Sequence, residues 1–151
     1  MSKFKLFVRY WLPVVLWALV IFSASSDKAS VQHSRIIEPF IRWLIPDISA
    51  AALDHIVFGA RKCAHLTEFA IFTLVLWRAF RGTCWRDRPG WLGRVAWSAW
   101  GLAVAFAATD EWHQLYVPGR QGSVWDVLID SIGGAGGLLV FWCFGRWRKK
   151  W

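Results

Sequence analysis

The chain is poor in acid and uneven in where it keeps it: ten Asp and Glu stand against eighteen Lys and Arg in 151 residues. Its three cysteines, Cys63, Cys84 and Cys143, are odd in number and scattered, which excludes a disulfide framework and a cysteine metal motif. No glycine-rich loop of the kind that cradles phosphate is present, nor a serine or cysteine nucleophile set beside a base. Internal repeats, linkers and low-complexity segments are lacking as well, so the length holds one domain, residues 1–151. What the chain has in excess is apolar surface. The hydrophobic fraction is 56% and there are thirteen tryptophans, a residue that favours the boundary between lipid headgroups and hydrocarbon. The net charge of +8 is not that of a nucleic-acid binder, because the cations sit at the ends of apolar runs rather than among base-stacking aromatics.

Four apolar segments, about 7–24, 63–80, 91–109 and 124–145, each approach the ~20 residues that cross a hydrocarbon core as a helix. None alternates as a barrel strand would. The expected fold is an all-α integral membrane bundle of four transmembrane helices. The first segment also has the layout of a secretory signal, with Lys3, Lys5 and Arg9 before it and Ser23-Ala24-Ser25-Ser26 after it. Cleavage there would leave the orientation of the other three spans unchanged.

Both tails and the link between spans two and three hold twelve of the eighteen basic residues and a single acid, Asp87. The positive-inside rule therefore puts both termini in the cytoplasm. The first outward connection carries Ile36, Ile37, Phe40, Ile41 and Leu44 at helical spacing, stopped by Pro46, as in an amphipathic helix on the membrane surface. Ser49 is placed to cap a helix that continues into span two. The second, from Tyr116 to Ser123, reads as a tight turn around Pro118-Gly119.

This topology brings ionisable groups of three helices to one outer layer. Span two contributes Lys62, His65 and Glu68; span three, Asp110, Glu111 and Gln114; span four, Asp126 and Asp130. Small residues extend the same stripes, Ala103 and Ala107 on span three, Gly133 and Gly137 on span four, so the Gly133–Gly137 run reads as a packing surface. Ser123 and Asp126 have the spacing of a capping box.

Three motifs stand together here: Arg61-Lys62-Cys63-Ala64-His65-Leu66-Thr67-Glu68-Phe69, then Thr109-Asp110-Glu111-Trp112-His113-Gln114, then Val117-Pro118-Gly119-Arg120-Gln121-Gly122-Ser123-Val124-Trp125-Asp126 with Asp130 beyond. They resemble the VanZ family across spans two to four, span one fitting only as a generic leading helix. The resemblance implies a bacterial cytoplasmic-membrane protein linked to sensitivity to the lipoglycopeptide teicoplanin, and it supplies no reaction.

Ionisable groups at membrane depth are costly and default to function. As an enzyme on a lipid-linked or amphiphilic envelope molecule, the chain would use Glu68, His65, Asp110 and Glu111 for acid–base work. Lys62, Gln114, Arg120, Asp126 and Asp130 would bind substrate, with Lys62 and Arg120 holding an anionic headgroup. Such a pocket serves a non-catalytic binder equally well, and in a scaffold the same groups would only hold helices together. His65, Glu68, Asp110, Asp126 and His113 could supply a divalent cation such as Zn²⁺ or Mn²⁺, but no established ligand spacing is present and no metal site is assigned. The expected partners are membrane lipids or lipid-linked precursors and no nucleic acid, with oligomerisation left open.

Overall fold

A computed structural model of the chain describes residues 2–26, 35–117 and 122–150, and among these every regular element is helical. Helix α1 (Lys3–Tyr10) starts at Ser2, whose hydroxyl accepts the Lys5 amide, and leads through Trp11 into α2 (Leu12–Ser26). The break has a local cause. Pro13 has no N–H to give the Arg9 carbonyl four residues back. Arg78 supplies the missing donor from another helix, its guanidinium reaching the Arg9 oxygen at 3.0 Å.

After a 3₁₀ turn at Arg35–Ile37, α3 (Glu38–Leu44) ends just short of Pro46, as the sequence predicts. Ser49 then caps α4 (Ala50–Thr83), accepting the Ala52 amide at 3.2 Å. At 34 residues α4 extends about 51 Å, well beyond the ~30 Å hydrocarbon core, so part of it must stand outside the bilayer. Helix α5 covers Gly93–Gln114 and α6 covers Val124–Trp147.

Among the described residues three helical stretches are long and apolar enough to cross a membrane: Lys3–Ser25, Ala50–Thr83 and Val124–Trp147. The 22-residue α5 is not one of them; it carries Arg94, Asp110 and Glu111. It is instead the element that packs α4 on one side and α6 on another. Ala99, Ala103 and Ala107, all buried, recur every four residues along it and let Phe69, Phe72 and Leu76 of α4 approach. Phe106 lies 4.9 Å from Phe72, centroid to centroid.

Helix α4 and α6 meet even more closely. A methyl group added at Gly133 would stand 2.5 Å from the Leu66 carbonyl oxygen, and one at Gly137 would stand 2.9 Å from the Ala70 Cβ. Gly134 faces Thr73 in the same way, but Gly136 meets nothing within 4 Å. The glycine run is therefore a packing surface at Gly133, Gly134 and Gly137 and an open one at Gly136. Indole N–H groups tie the remaining contacts: Trp17 of α2 donates to the Glu68 carbonyl at 3.0 Å, and Trp100 of α5 to the Ser131 carbonyl at 2.9 Å.

Candidate functional site

Because α4 and α6 run parallel, their contacts stepping together from Lys62–Asp126 to Ala70–Gly137, and α5 runs antiparallel to both, the start of the apolar part of α4, the end of α5 and the start of α6 lie at one end of the bundle. Lys62 pairs there with Asp126 across the α4–α6 contact, both side chains mostly buried. One turn on, His65 Nδ1 lies 3.8 Å from Asp130 Oδ1, within ion-pair range but too long for a hydrogen bond. The two rungs follow from the geometry: a step of three on α4 and of four on α6 each advance about one helical turn.

On α5, Gln114 reaches back along its own helix. Its amide donates to Asp110 Oδ2 at 3.0 Å and to Glu111 Oε1 at 3.3 Å. Glu111 also accepts the Ser123 backbone N–H through Oε2 at 2.8 Å, joining the end of α5 to the start of α6. Asp110, Glu111, Gln114 and Asp130 are exposed by no more than 5% each. Asp110 Oδ1 and Asp130 Oδ1 are buried without a hydrogen-bond donor among the described residues. Glu68 lies within electrostatic reach of Asp110, and Asp130 within reach of Glu111, Asp126, Asp110 and Lys62. The sequence-predicted site residues of three helices thus share one layer. Arg120, with the Pro118-Gly119 turn, lies outside the described residues.

One expectation is overturned. Ser123 and Asp126 do not form a capping box: the Ser123 hydroxyl accepts the Trp125 amide at 3.2 Å, its N–H goes to Glu111, and Asp126 is drawn to Lys62. Lys62 is paired with Asp126 in this structure. The His113 ring lies 4.5 Å from that of Phe22 on α2. Among the described residues no group of three or more His, Cys, Asp and Glu side chains is arranged to hold a metal ion.

With Lys62 neutralised, the layer is acidic. Among the described residues it holds four further carboxyl groups, Glu68, Asp110, Glu111 and Asp130, with the His65 imidazole and the Gln114 amide. Such a site suits a ligand that brings hydrogen-bond donors or positive charge.

Immediately inward, the surface between α4 and α6 opens into a groove of about 740 Å³. Leu66, Ala70 and Leu74 form one wall and Ile132, Gly136 and Val140 the other. Leu66 is one turn below Lys62, so the polar layer and the groove are continuous along α4.

The VanZ/LLP1 family model matches residues 10–145, nearly the whole chain. The chain belongs to the VanZ/LLP1 family. No curated protein and no solved structure matches it.

For this VanZ/LLP1 protein the match begins at Tyr10 and so takes in α2, which the sequence motifs left as a generic leader. The structure gives α2 a part in the site: Trp17 holds the backbone at Glu68, and Phe22 covers His113. An indole facing inward from a lipid-like segment is a signal that sequence reading could have used. The Glu111–Ser123 bond, and Gly122 packed against the Glu111 carbonyl where any Cβ would collide, could not have been found from sequence spacing.

Proposed function

We propose that this protein spans the bacterial cytoplasmic membrane four times, α5 being the additional span, with both tails and the α4–α5 connection in the cytoplasm. In this orientation α3, whose Phe40, Trp43 and Leu44 are exposed along with Ile36 of the turn before it, rests on the membrane–water boundary of the outer side. The acidic layer then faces outward and binds or acts on an amphiphilic or lipid-linked envelope molecule, its polar head among Asp110, Asp130 and His65 and its tail in the α4–α6 groove. Binding such a molecule would alter sensitivity to glycopeptides such as teicoplanin, as the family membership suggests.

One observation carries this reading: Asp110 and Asp130, each 2% exposed, keep one carboxyl oxygen without a donor among the described residues, and Asp130 precedes by three residues Gly133, which lines the apolar groove. Buried polar atoms are rarely left so, because each unmade bond costs on the order of 1–3 kcal/mol. A ligand with amine, amide or hydroxyl groups would complete them.

Lipid extracts of the purified protein, compared by mass spectrometry, test the reading. An amphiphile enriched with the native chain should be depleted about tenfold or more in Asp130→Asn and in Gly136→Leu, which fills the groove. Equal lipid content in all three would rule it out. The orientation has its own test. In otherwise cysteine-free chains on intact cells, a membrane-impermeant maleimide should label Tyr116→Cys and should reach Cys84 only after permeabilisation. The reverse pattern would turn the site inward.

A catalytic version is favoured by the adjacent acids Asp110 and Glu111, which share Gln114 as donor and could divide the roles of acid and base. Glu68→Gln and Asp110→Asn would then leave the bound amphiphile in place and abolish any product species seen only when the native chain is expressed. In the scaffold alternative these changes lower stability and alter no lipid.

A further inference from the structure

The opposite end of the bundle holds a second polar pocket, of about 550 Å³. Tyr10 of α1, Arg78 and Arg81 of α4, Arg86 of the α4–α5 connection and Lys150 beyond α6 line it. Four of these side chains carry fixed positive charge, and no carboxylate is among the lining residues. Asp87, the acid nearest in sequence, is exposed and does not line it.

An orienting signal for membrane insertion requires only that cations be present on one side, and mobile tails suffice. Here two of them are held in place. Arg78 donates to the Arg9 carbonyl at 3.0 Å and lies over the Tyr10 ring, 5.0 Å from its centroid. Arg81 donates to the Trp85 and Arg88 carbonyls. Tyr10 in turn rests on Gly82, where a Cβ would overlap the ring. Backbone carbonyls fix the direction of a guanidinium without cancelling its charge. The result, among the described residues, is a concavity of four cations with no carboxylate in its lining, two of them held in place, and like charges so gathered are relieved by an anion. Guanidinium groups match the oxygens of a phosphate in particular. Tyr10 and Trp77 beside them are residues of the headgroup level.

We propose that this pocket binds a phosphate-bearing anion. The orientation assigned above makes an anionic phospholipid headgroup of the cytoplasmic leaflet the nearest source, and free phosphate is the other. The site is separate from the outer acidic layer and stands whether or not that layer binds an amphiphile.

Native mass spectrometry of the detergent-solubilised full chain, titrated with phosphatidylglycerol, with net-neutral phosphatidylcholine and with inorganic phosphate, tests it. Arg86 and Lys150 are exposed, so Arg86→Gln/Lys150→Gln should fold normally, as an unchanged melting temperature would confirm. Lys3→Gln/Lys5→Gln removes the same charge outside the pocket. The native chain should prefer phosphatidylglycerol to phosphatidylcholine. The pocket pair should lose about fivefold in affinity per cation removed, and the control pair less than twofold. If inorganic phosphate binds with the same dependence on Arg86 and Lys150 and displaces the lipid, free phosphate is the ligand; if it does not, the headgroup is. Equal binding of the two lipids with no binding of phosphate, or equal losses in both variant pairs, would overturn the proposal.

Discussion

Replacing Gly133 with leucine is expected to prevent the protein from folding, whereas the same change three residues later, at Gly136, is expected to leave the fold intact. A single methyl group at Gly133 already stands 2.5 Å from the Leu66 carbonyl oxygen and 2.9 Å from its Cα. Those atoms are backbone of a 34-residue helix and cannot step aside alone. Overpacking of a closed interface costs typically 1–3 kcal/mol, and a branched side chain against backbone belongs at or above the upper end. Since α4 and α6 share the largest interface of the bundle, most of a marginal stability goes with it. At Gly136 an added Cβ meets no atom within 4 Å, and Gly136→Leu removes a glycine from a helix, a gain of about 0.8 kcal/mol. Size-exclusion profiles and melting temperatures of both variants in detergent check the contrast. Equal behaviour would mean that α4 and α6 do not meet at Gly133.

Lys62→Met is the second large effect. It strands the Asp126 carboxylate, whose side chain is 30% exposed and loses the cation it pairs with. Breaking a fully buried pair costs about 3–5 kcal/mol, and with 21% of the Lys62 side chain also accessible, solvent screening reduces this to roughly 1–3 kcal/mol. Removing both charges in Lys62→Met/Asp126→Leu should recover most of the loss, because the cost lies in the unpaired charge rather than in the absence of the bond. A double-mutant cycle on unfolding in detergent measures the coupling. If the two single losses simply add, Lys62 and Asp126 are not partners.

Much of this arrangement is legible in the chain itself. The gathering of acids and bases in one layer follows from hydrophobic periodicity, since a helix that must bury one stripe has no freedom in where its neighbours at three and four residues point. Ser49 likewise announces the start of α4, thirteen residues before the apolar run that marks its membrane part, because hydropathy detects lipid and a cap detects a helix.

What stayed hidden depends on distances between helices. Nothing local tells Lys62 to choose Asp126 over Glu68, which is nearer in sequence; the choice is made by how closely Gly133 lets α6 approach Leu66. The same packing makes Gly133 indispensable and leaves Gly136 open within one glycine run. Arg78 satisfying the carbonyl that Pro13 orphans, and Glu111 taking the Ser123 amide, are pairings across 69 and 12 residues that no periodicity encodes.

Side chains of α4 and α6 face each other in one polar layer at the end of the bundle where α6 begins. Chemical cross-linking measures this directly. In native membranes, with Cys63, Cys84 and Cys143 replaced by serine, Lys62→Cys and Asp126→Cys should join through a short bifunctional thiol reagent in high yield. Lys62→Cys with Leu128→Cys, where the exposed Leu128 points elsewhere on α6, should not. Joining of the second pair with none of the first would dissolve the shared site.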